Sequence, residues 1–372
     1  MEKKGENVSF LENRGDTDFM AIDKKKTTND LPLVSGGADS VLCSASSCKA
    51  DYSTTLQNLQ EEISERFQNK KAHSEYLSKI YNELCFESKA SRVFSCGTFL
   101  EFKVSEKEAK LQNANFCKDR LCPMCNWRRS LKIFSQVSTV MDNMPDEYEY
   151  LFLTLTVRNC DTSELKETID ALLDGWRFLY NKENVFRKAV SGSFRSLEVT
   201  RNDDTSSAFY GTFHPHLHCI LAVKKSYFKK HYITQKQWSE LWKKACNLEY
   251  KPIVHIEKVY LKDSNGKKLK DEIDLKKAVV ESSKYAVKSS DYLFKDRFEL
   301  SCETVEALLG ALSGRRLCGW TGVFNDVRKK LKLDDAEQGD LVITSEDENI
   351  REDVACMLVR YQWRCGSYVS LR

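Results

Sequence analysis

The chain has no apolar run approaching the roughly 20 residues that a bilayer-spanning helix needs, which excludes a membrane span. Its first residues, "MEKKGENVSFLENRGD", lack the apolar core of a signal peptide, so the expected location is the cytoplasm, with no membrane partner. No Walker-type phosphate loop occurs. The nearest stretch, "NGKKLK" at 265–270, has Lys268 where Ser or Thr would have to follow, so no ATP motor is encoded. No internal repeat is visible. Net charge is only +3 and by itself says little about partners. With 372 residues, 41% hydrophobic and 30% charged, the chain has room for about two soluble domains of roughly 150 residues each.

Cysteine, by contrast, is plentiful at fourteen residues, and in a reducing compartment clustered thiols point to metal before disulfide. The stretch "FCKDRLCPMCNWRR" holds Cys117, Cys122 and Cys125. Cys-x2-Cys with proline inside is a tight knuckle that aims two thiolates at one ion, and tetrahedral zinc wants four ligands. Cys96, in "VFSCGTFLEF" just upstream, is the natural fourth because a hairpin can return the chain to it; Cys85 is the weaker choice. Arg120, Arg128 and Arg129 flank the knuckle and suit contact with nucleic acid. Between Leu221 and Leu300, 19 Lys and Arg stand against 11 Asp and Glu, an excess that suits a phosphate backbone and equally a solvated helix face.

Histidine is scarce, yet three of the six fall within five residues of "YGTFHPHLHCILAV", 210–223. The apolar run that follows reads as buried strand. Side chains alternate on a strand, so His216 and His218 project to one face with Leu217 behind, as a divalent metal site requires. "FRSLEVTR" (194–201) and "FHPHLHCILAV" (213–223) read as an antiparallel pair around "NDDTSS".

Elsewhere, residues 1–54 are polar without periodicity and read as a disordered tail containing Cys43 and Cys48. Residues 55–148 read as a helical and zinc-knuckle DNA-binding region, with Leu56, Leu59, Ile63, Phe67, Leu77, Ile80 and Leu84 at helical spacing. In residues 149–334, the strand "EYLFLTLTVRN" precedes a helix through Leu165–Leu179, the hairpin, a helix at Trp238 and Trp242, the strand "PIVHIEKVY", and a long helix from Asp274 past Ala286. Residues 335–372 form a C-terminal extension whose strand-like "MLVRYQWRCGSYVSL" returns to the sheet or pairs elsewhere. Strands separated by helices, with a central hairpin, argue an α+β fold around an antiparallel sheet.

The last constellation is "VESSKYAVKSSDY": Glu281, Tyr285 and Lys288 stand at i, i+4 and i+7, one face of a helix, with Tyr292 seven residues on. The carboxylate can take a proton from a hydroxyl or water, and the lysine can steady a phosphate oxygen or phenolate.

A "FLTLTV" strand, then "HPHLH", then Glu-x3-Tyr-x2-Lys, preceded by "CKDRLCPMC" and "WRR", resembles the rolling-circle replication initiators of small bacterial plasmids. These belong to the His-hydrophobic-His (HUH) endonuclease superfamily, and the chain is similar to the branch with one tyrosine and a catalytic glutamate. The resemblance spans roughly Cys96 to Asp334. It implies a five-stranded antiparallel sheet flanked by helices, with the histidines on a central strand and the tyrosine on a facing helix. It also implies His216 and His218 as metal ligands for Mg²⁺ or Mn²⁺, Tyr285 as nucleophile, Glu281 as the activator of water at termination, and Lys288 as the lysine following the tyrosine. A third ligand varies across the superfamily; Glu198 on the neighbouring strand is the candidate, ahead of His214, whose parity Pro215 should disturb. The implied partners are plasmid DNA (a double-strand origin and a single-stranded nick site) and a host helicase and DNA polymerase. The superfamily's relaxases usually place the tyrosine before the histidines, whereas here it follows His218 by 67 residues. Its small transposases are much shorter and lack the knuckle. A non-catalytic zinc module would explain the cysteines and basic patches, but not the histidine pair or the Glu-Tyr-Lys spacing.

Overall fold

The computed structural model describes residues 51–260, 272–284, 287–344 and 355–371. Tyr285 lies outside the described residues, as do residues 1–50 of the expected tail, including Cys43 and Cys48. Among the described residues no helix is long and apolar enough to cross a membrane.

The first helical stretch is α1 (Ser53–Glu62) and α2 (Gln68–Glu83), joined by a π-helical turn at Ile63–Phe67. Leu59, Ile63, Phe67, Leu77 and Ile80 are all buried, as their three-to-four-residue spacing requires. After α3 (Glu87–Ser95), the hairpin of β1 (Phe99–Val104) and β2 (Ala109–Ala114) returns the chain to the knuckle. α4 (Pro123–Asp142) then begins with Pro123 in its first turn, where a missing N–H costs nothing. β3 (Tyr148–Thr156), α5 (Leu165–Lys182), α6 (Asn184–Ala189), β4 (Val190–Arg201) and β5 (Phe213–Lys224) follow. Next come α7 (Tyr227–Lys230), α8 (Gln235–Ala245), β6 (Val254–Tyr260), β7 (Glu272–Asp274) and α9 (Leu275–Ser283). The remaining elements are α10 (Phe298–Leu312), β8 (Cys318–Thr321), α11 (Gly322–Lys330), β9 (Met357–Arg364) and β10 (Ser367–Leu371).

The class is α+β, with two sheets flanked by helices. The central sheet has the order β7-β6-β3-β5-β4-β8 and is antiparallel except where β7 meets β6. It has six strands where five were expected. Its outermost two, three and four residues long, carry too little alternation to be read from sequence. β5 sits between β3 and β4 and is buried almost throughout, so both sheet faces are covered. α9 and α11 cover the face that carries His216 and His218: Phe324 of α11 meets Tyr150 edge-on, and Phe152 on the same face stacks on His218. The close approach of β4 to the start of α11 requires glycine at 322, where φ is +52° and a Cβ would lie 2.1 Å from the Ser191 carbonyl oxygen.

The second sheet, β10-β9-β1-β2, shows where the C-terminal strand goes: β9 pairs with β1 rather than with the central sheet. Residues 50–372 form one compact unit, so the boundaries drawn at 148/149 and 334/335 fall inside it. The helix expected from Asp274 past Ala286 stops at Ser283, because Lys284 turns to extended backbone at φ −58°, ψ 121°.

Candidate active site and metal centres

The β4–β5 register sets Glu198 directly opposite His216, and Ser196 opposite His218; on the other side β3 sets Thr154 opposite His218. Cross-strand neighbours on one face lie about 5 Å apart, so a carboxylate and two imidazoles meet without distortion. Glu198 Oε2 is 3.1 Å from His216 Nε2 and 2.9 Å from His218 Nε2. Glu198 and His218 are buried. The pairing runs through Pro215 without a register shift (Val199 opposite Pro215), so the expected disturbance of parity is absent. His214 stays on the His216 side, its ring stacked at 5.2 Å, but is not part of the converging set. Burial, helped by the charge of His216, pushes His214 down to about 4.

Two further contacts orient the imidazoles. His216 Nδ1 lies 3.1 Å from the His214 carbonyl oxygen, and His218 Nδ1 lies 3.3 Å from Thr154 Oγ1. A carbonyl only accepts, so His216 Nδ1 carries its proton and Nε2 turns toward the Glu198 carboxylate. Two acceptors about 3 Å apart need a proton or a cation between them. Ligands at about 2.1 Å on a six-coordinate cation stand about 3 Å apart along each edge, the separation found here. The donor set of two neutral nitrogens and one carboxylate oxygen suits Mg²⁺ or Mn²⁺, with imidazole favouring Mn²⁺. Burial alone would raise the Glu198 carboxyl, but with a proton on each facing Nε2 the hydrogen bonds from His216 and His218 outweigh it and hold it well below the carboxylate range; a cation held by the three residues would take the place of those protons. Burial depresses His218, against the pull of Glu198.

Lys288 Nζ stands 3.6 Å from the other oxygen, Glu198 Oε1. Lys288 lies beyond the end of α9 and is itself extended (φ −76°, ψ 147°), so the helical stacking of Glu281 and Lys288 is corrected. Although burial opposes its charge, the surrounding Glu198, Asp291 and Glu281 raise it above the ordinary lysine value. Glu281, on the last turn of α9, pairs with Lys284, and α9 lies across β4 and β5. Tyr292, the alternative nucleophile, is fully buried and donates its hydroxyl to the Leu121 carbonyl, so it ties this segment to the knuckle and faces no substrate. Sequence reasoning missed Thr154 and Asp291. The first was readable from the strand "FLTLTV" once its partner was known. Asp291 carried no signal, although burial pushes its carboxyl up to about 7 and its Oδ2 is shielded and without a hydrogen-bond partner among the described residues.

The second cluster is the knuckle. Cys96, Cys117, Cys122 and Cys125 converge, whereas Cys85 is exposed. Their sulfurs lie 3.6 Å (Cys96–Cys125), 3.7 Å (Cys117–Cys125) and 3.6 Å (Cys96–Cys122) apart. Thiolates at about 2.3 Å around a tetrahedral ion stand about 3.8 Å apart, so the spacing fits zinc. Backbone N–H groups of Cys117, Lys118 and Asp119 point at Cys96, Cys125 and Cys117 at 3.3–3.4 Å, stabilising negative sulfur.

The three knuckle arginines turn inward, which corrects the expectation that they face nucleic acid. Arg128 and Arg129 are buried. Arg128 donates to the Leu341 carbonyl at 2.9 Å, and Arg129 to those of Glu337 at 3.1 Å and Asp119 at 2.9 Å. Arg120 donates to the carbonyls of Leu312 and Arg315. Arg129 also holds the knuckle itself through Lys118, Asp119 and Asn126, while the bonds of Arg120, Arg128 and Arg129 to Leu312, Arg315, Glu337 and Leu341 tie that later stretch to the knuckle and α4.

A sheet-borne carboxylate and imidazole pair, crossed by a helix and accompanied by a four-cysteine knuckle, defines a candidate metal-dependent α+β protein. Residues 108–369 match the model of a family described as "Replication protein". The chain is 40% identical over 280 residues to a "Protein rep" of Bacillus sp, covering 73% of this chain and 89% of that one. It is 39% identical over 304 residues to a "Protein rep" of Bacillus amyloliquefaciens (79% and 88%), and 33% identical over 222 residues to a "Replication protein" of Staphylococcus aureus (59% and 89%). The chain belongs to the replication-protein family, in line with its resemblance to plasmid replication initiators. No solved structure matches it.

Proposed function

We propose that the protein initiates rolling-circle replication of a plasmid, acting in the cytoplasm as a metal-dependent nickase and strand transferase at a double-strand origin. The observation that carries this reading is the convergence of Glu198, His216 and His218 on the sheet face crossed by α9, with Lys288 held at the same carboxylate. A divalent cation held by these three residues would neutralise a nonbridging phosphate oxygen and polarise phosphorus. Tyr285 supplies the attacking oxygen: its bond to phosphorus forms, the bond to the 3′ oxygen breaks, and a 5′-phosphotyrosine and a free 3′ hydroxyl result. Lys288, kept protonated by its acidic neighbours, steadies the phosphate or the phenolate. At termination Glu281 takes the proton of a water that attacks phosphorus at the regenerated nick site; the bond to its 3′ oxygen breaks, and the freed 3′ hydroxyl attacks the phosphotyrosine and releases Tyr285. A host DNA polymerase extends the 3′ end and a host helicase unwinds the duplex, since the chain carries no Walker-type motif. Zinc on Cys96, Cys117, Cys122 and Cys125 is structural in this reading.

Supercoiled DNA carrying a candidate origin tests the reading. Wild-type protein with Mn²⁺ should relax it and retain a covalent DNA adduct, and Tyr285→Phe should do neither while still binding the origin. Metal-independent relaxation, or an adduct mapped to Tyr292, would overturn it.

A further inference from the structure

Beyond the histidine face, a basic and aromatic surface lies at the far end of β5. Lys224 ends that strand six residues after His218, about 20 Å along it. There α7 and the following turn read "KKSYFKKHYITQK", 224–236. Tyr227 is buried as the anchor, its hydroxyl accepting from the Ile233 N–H at 3.1 Å, which holds the turn in shape. Phe228 and Tyr232 do the opposite: they are 38% and 57% exposed, with centroids 6.2 Å apart and ring planes only 33° apart. Large aromatic rings left in water on a braced turn present flat faces at little entropic cost. Lys229 and Lys230 are exposed on the same turn, and no ion pair engages either among the described residues. Glu149, whose Cα is opposite Val223, is engaged by Lys258 at 3.0 Å, and that ammonium also lies 4.9 Å from the Phe228 ring centre. Glu149 is thus paired; Glu147, whose backbone carbonyl accepts from the Lys225 N–H at 3.1 Å, lies beside the patch, where Lys224, Lys225, Lys229 and Lys230 leave the balance positive.

We propose that this turn is a second, non-catalytic site for single-stranded DNA, in which bases stack on Phe228 and Tyr232 while phosphates pass Lys229 and Lys230. Adjacent aromatic faces beside unpaired cations are the chemistry that holds a single strand without reading its sequence. Its place in the reaction, keeping the strand that leaves the nick site from re-annealing, rests on the initiator reading. The binding itself does not.

The test uses full-length protein and an oligo-dT of about 16 nucleotides, which contains no nick site. Phe228→Ala/Tyr232→Ala should weaken binding about thirty-fold or more by fluorescence anisotropy with its salt dependence unchanged. Lys229→Ala/Lys230→Ala should instead flatten the log–log salt slope by about 1.4, or roughly 0.7 per phosphate contact. Both variants should melt like wild type and cleave a short nick-site oligonucleotide normally. Iodouracil-substituted strands should crosslink to Phe228 or Tyr232. Unchanged affinity in the aromatic variant, or crosslinks confined to other segments, would overturn the proposal. So would variants that lose binding to anionic phosphatidylserine vesicles but keep oligo-dT affinity, which would make the patch a membrane contact. If wild-type protein fails to nick DNA while the oligo-dT results hold, the initiator reading falls and this site stands.

Discussion

Glu198 and Asp291, the two carboxylates nearest Lys288, are pushed in opposite directions by their surroundings. Glu198, between two imidazoles, is held ionised. Asp291 is pushed by burial up to about 7, with Lys288 pulling the other way and Glu198 adding to the rise. A carboxyl whose native pKa lies above its unfolded value favours folding fully below about pH 4 and loses that contribution as pH rises toward 7. Asp291→Asn should therefore change little at pH 5 but stabilise the protein by about 1–2 kcal/mol at pH 8, because a neutral amide replaces a buried charge that Lys288 and Ser290 only partly offset. Thermal melts across that range check it; a constant wild-type–variant difference would reject it. Glu281 is subject to a different test. On the proposed reading a second cut must follow while Tyr285 is occupied, and a carboxylate that activates water would solve this by hydrolysis. Glu281→Ala should nick at near-normal rate and accumulate multimeric single-stranded products. If unit-length release is unchanged, Glu281 serves only its ion pair with Lys284, worth a few tenths of a kcal/mol.

At the scale of elements, what the sequence made legible was what neighbouring strands decide. Glu198 and His216 meet because a hairpin fixes its own register, and the alternation around His216 and His218 is local. The arginines failed for the opposite reason. Arg128 is 213 residues from the carbonyl it reaches, and Arg129 is 208 from one of its acceptors, so no local pattern separates them from surface donors. The helix end at Ser283 was also hidden: "SSKYAVK" carries no proline or glycine to mark it, and packing of α9 against α4 and β5 overrides the helical spacing. The knuckle combines both cases, because Cys117, Cys122 and Cys125 are local while Cys96 arrives through the β1–β2 hairpin. Protein purified without chelator should carry one zinc ion by native mass spectrometry. Cys96→Ser should lose most of it and lower the melting temperature, since metal binding and local folding are one equilibrium. Undiminished zinc in that variant would remove Cys96 from the ligand set.

Within residues 50–372, β9 and β10 close the sheet begun by β1, and this ties the four-cysteine cluster, the proposed zinc site, to residues far from it in sequence. β9 completes the sheet begun by β1, where Tyr361 is buried edge-on against Phe102 with ring centres 6.1 Å apart. The Trp363 backbone N–H donates to the Thr98 carbonyl at 2.8 Å, and its indole donates to Glu75 at 2.6 Å. Glu75 in turn lies 3.7 Å from the ammonium of Lys71, which is buried beside the cysteines and donates to the Phe94 carbonyl. Tyr368 donates its hydroxyl to the carbonyl of Gly97, the residue after Cys96. These contacts fix the backbone on both sides of Cys96. Deleting residues 355–372 should therefore expose the β1 edge, cost stability, and let a chelator strip zinc on the order of ten-fold faster, comparable to loss of outer-shell support at other metal sites. Tyr361→Ala isolates the packing term at about 3 kcal/mol. Trp363→Phe keeps an aromatic ring but removes the indole N–H together with the five-membered ring, so it should speed zinc release at a smaller stability cost than Tyr361→Ala. If all three variants release zinc at the wild-type rate, the C-terminal strands complete a sheet and nothing more, and the knuckle holds its ion without them.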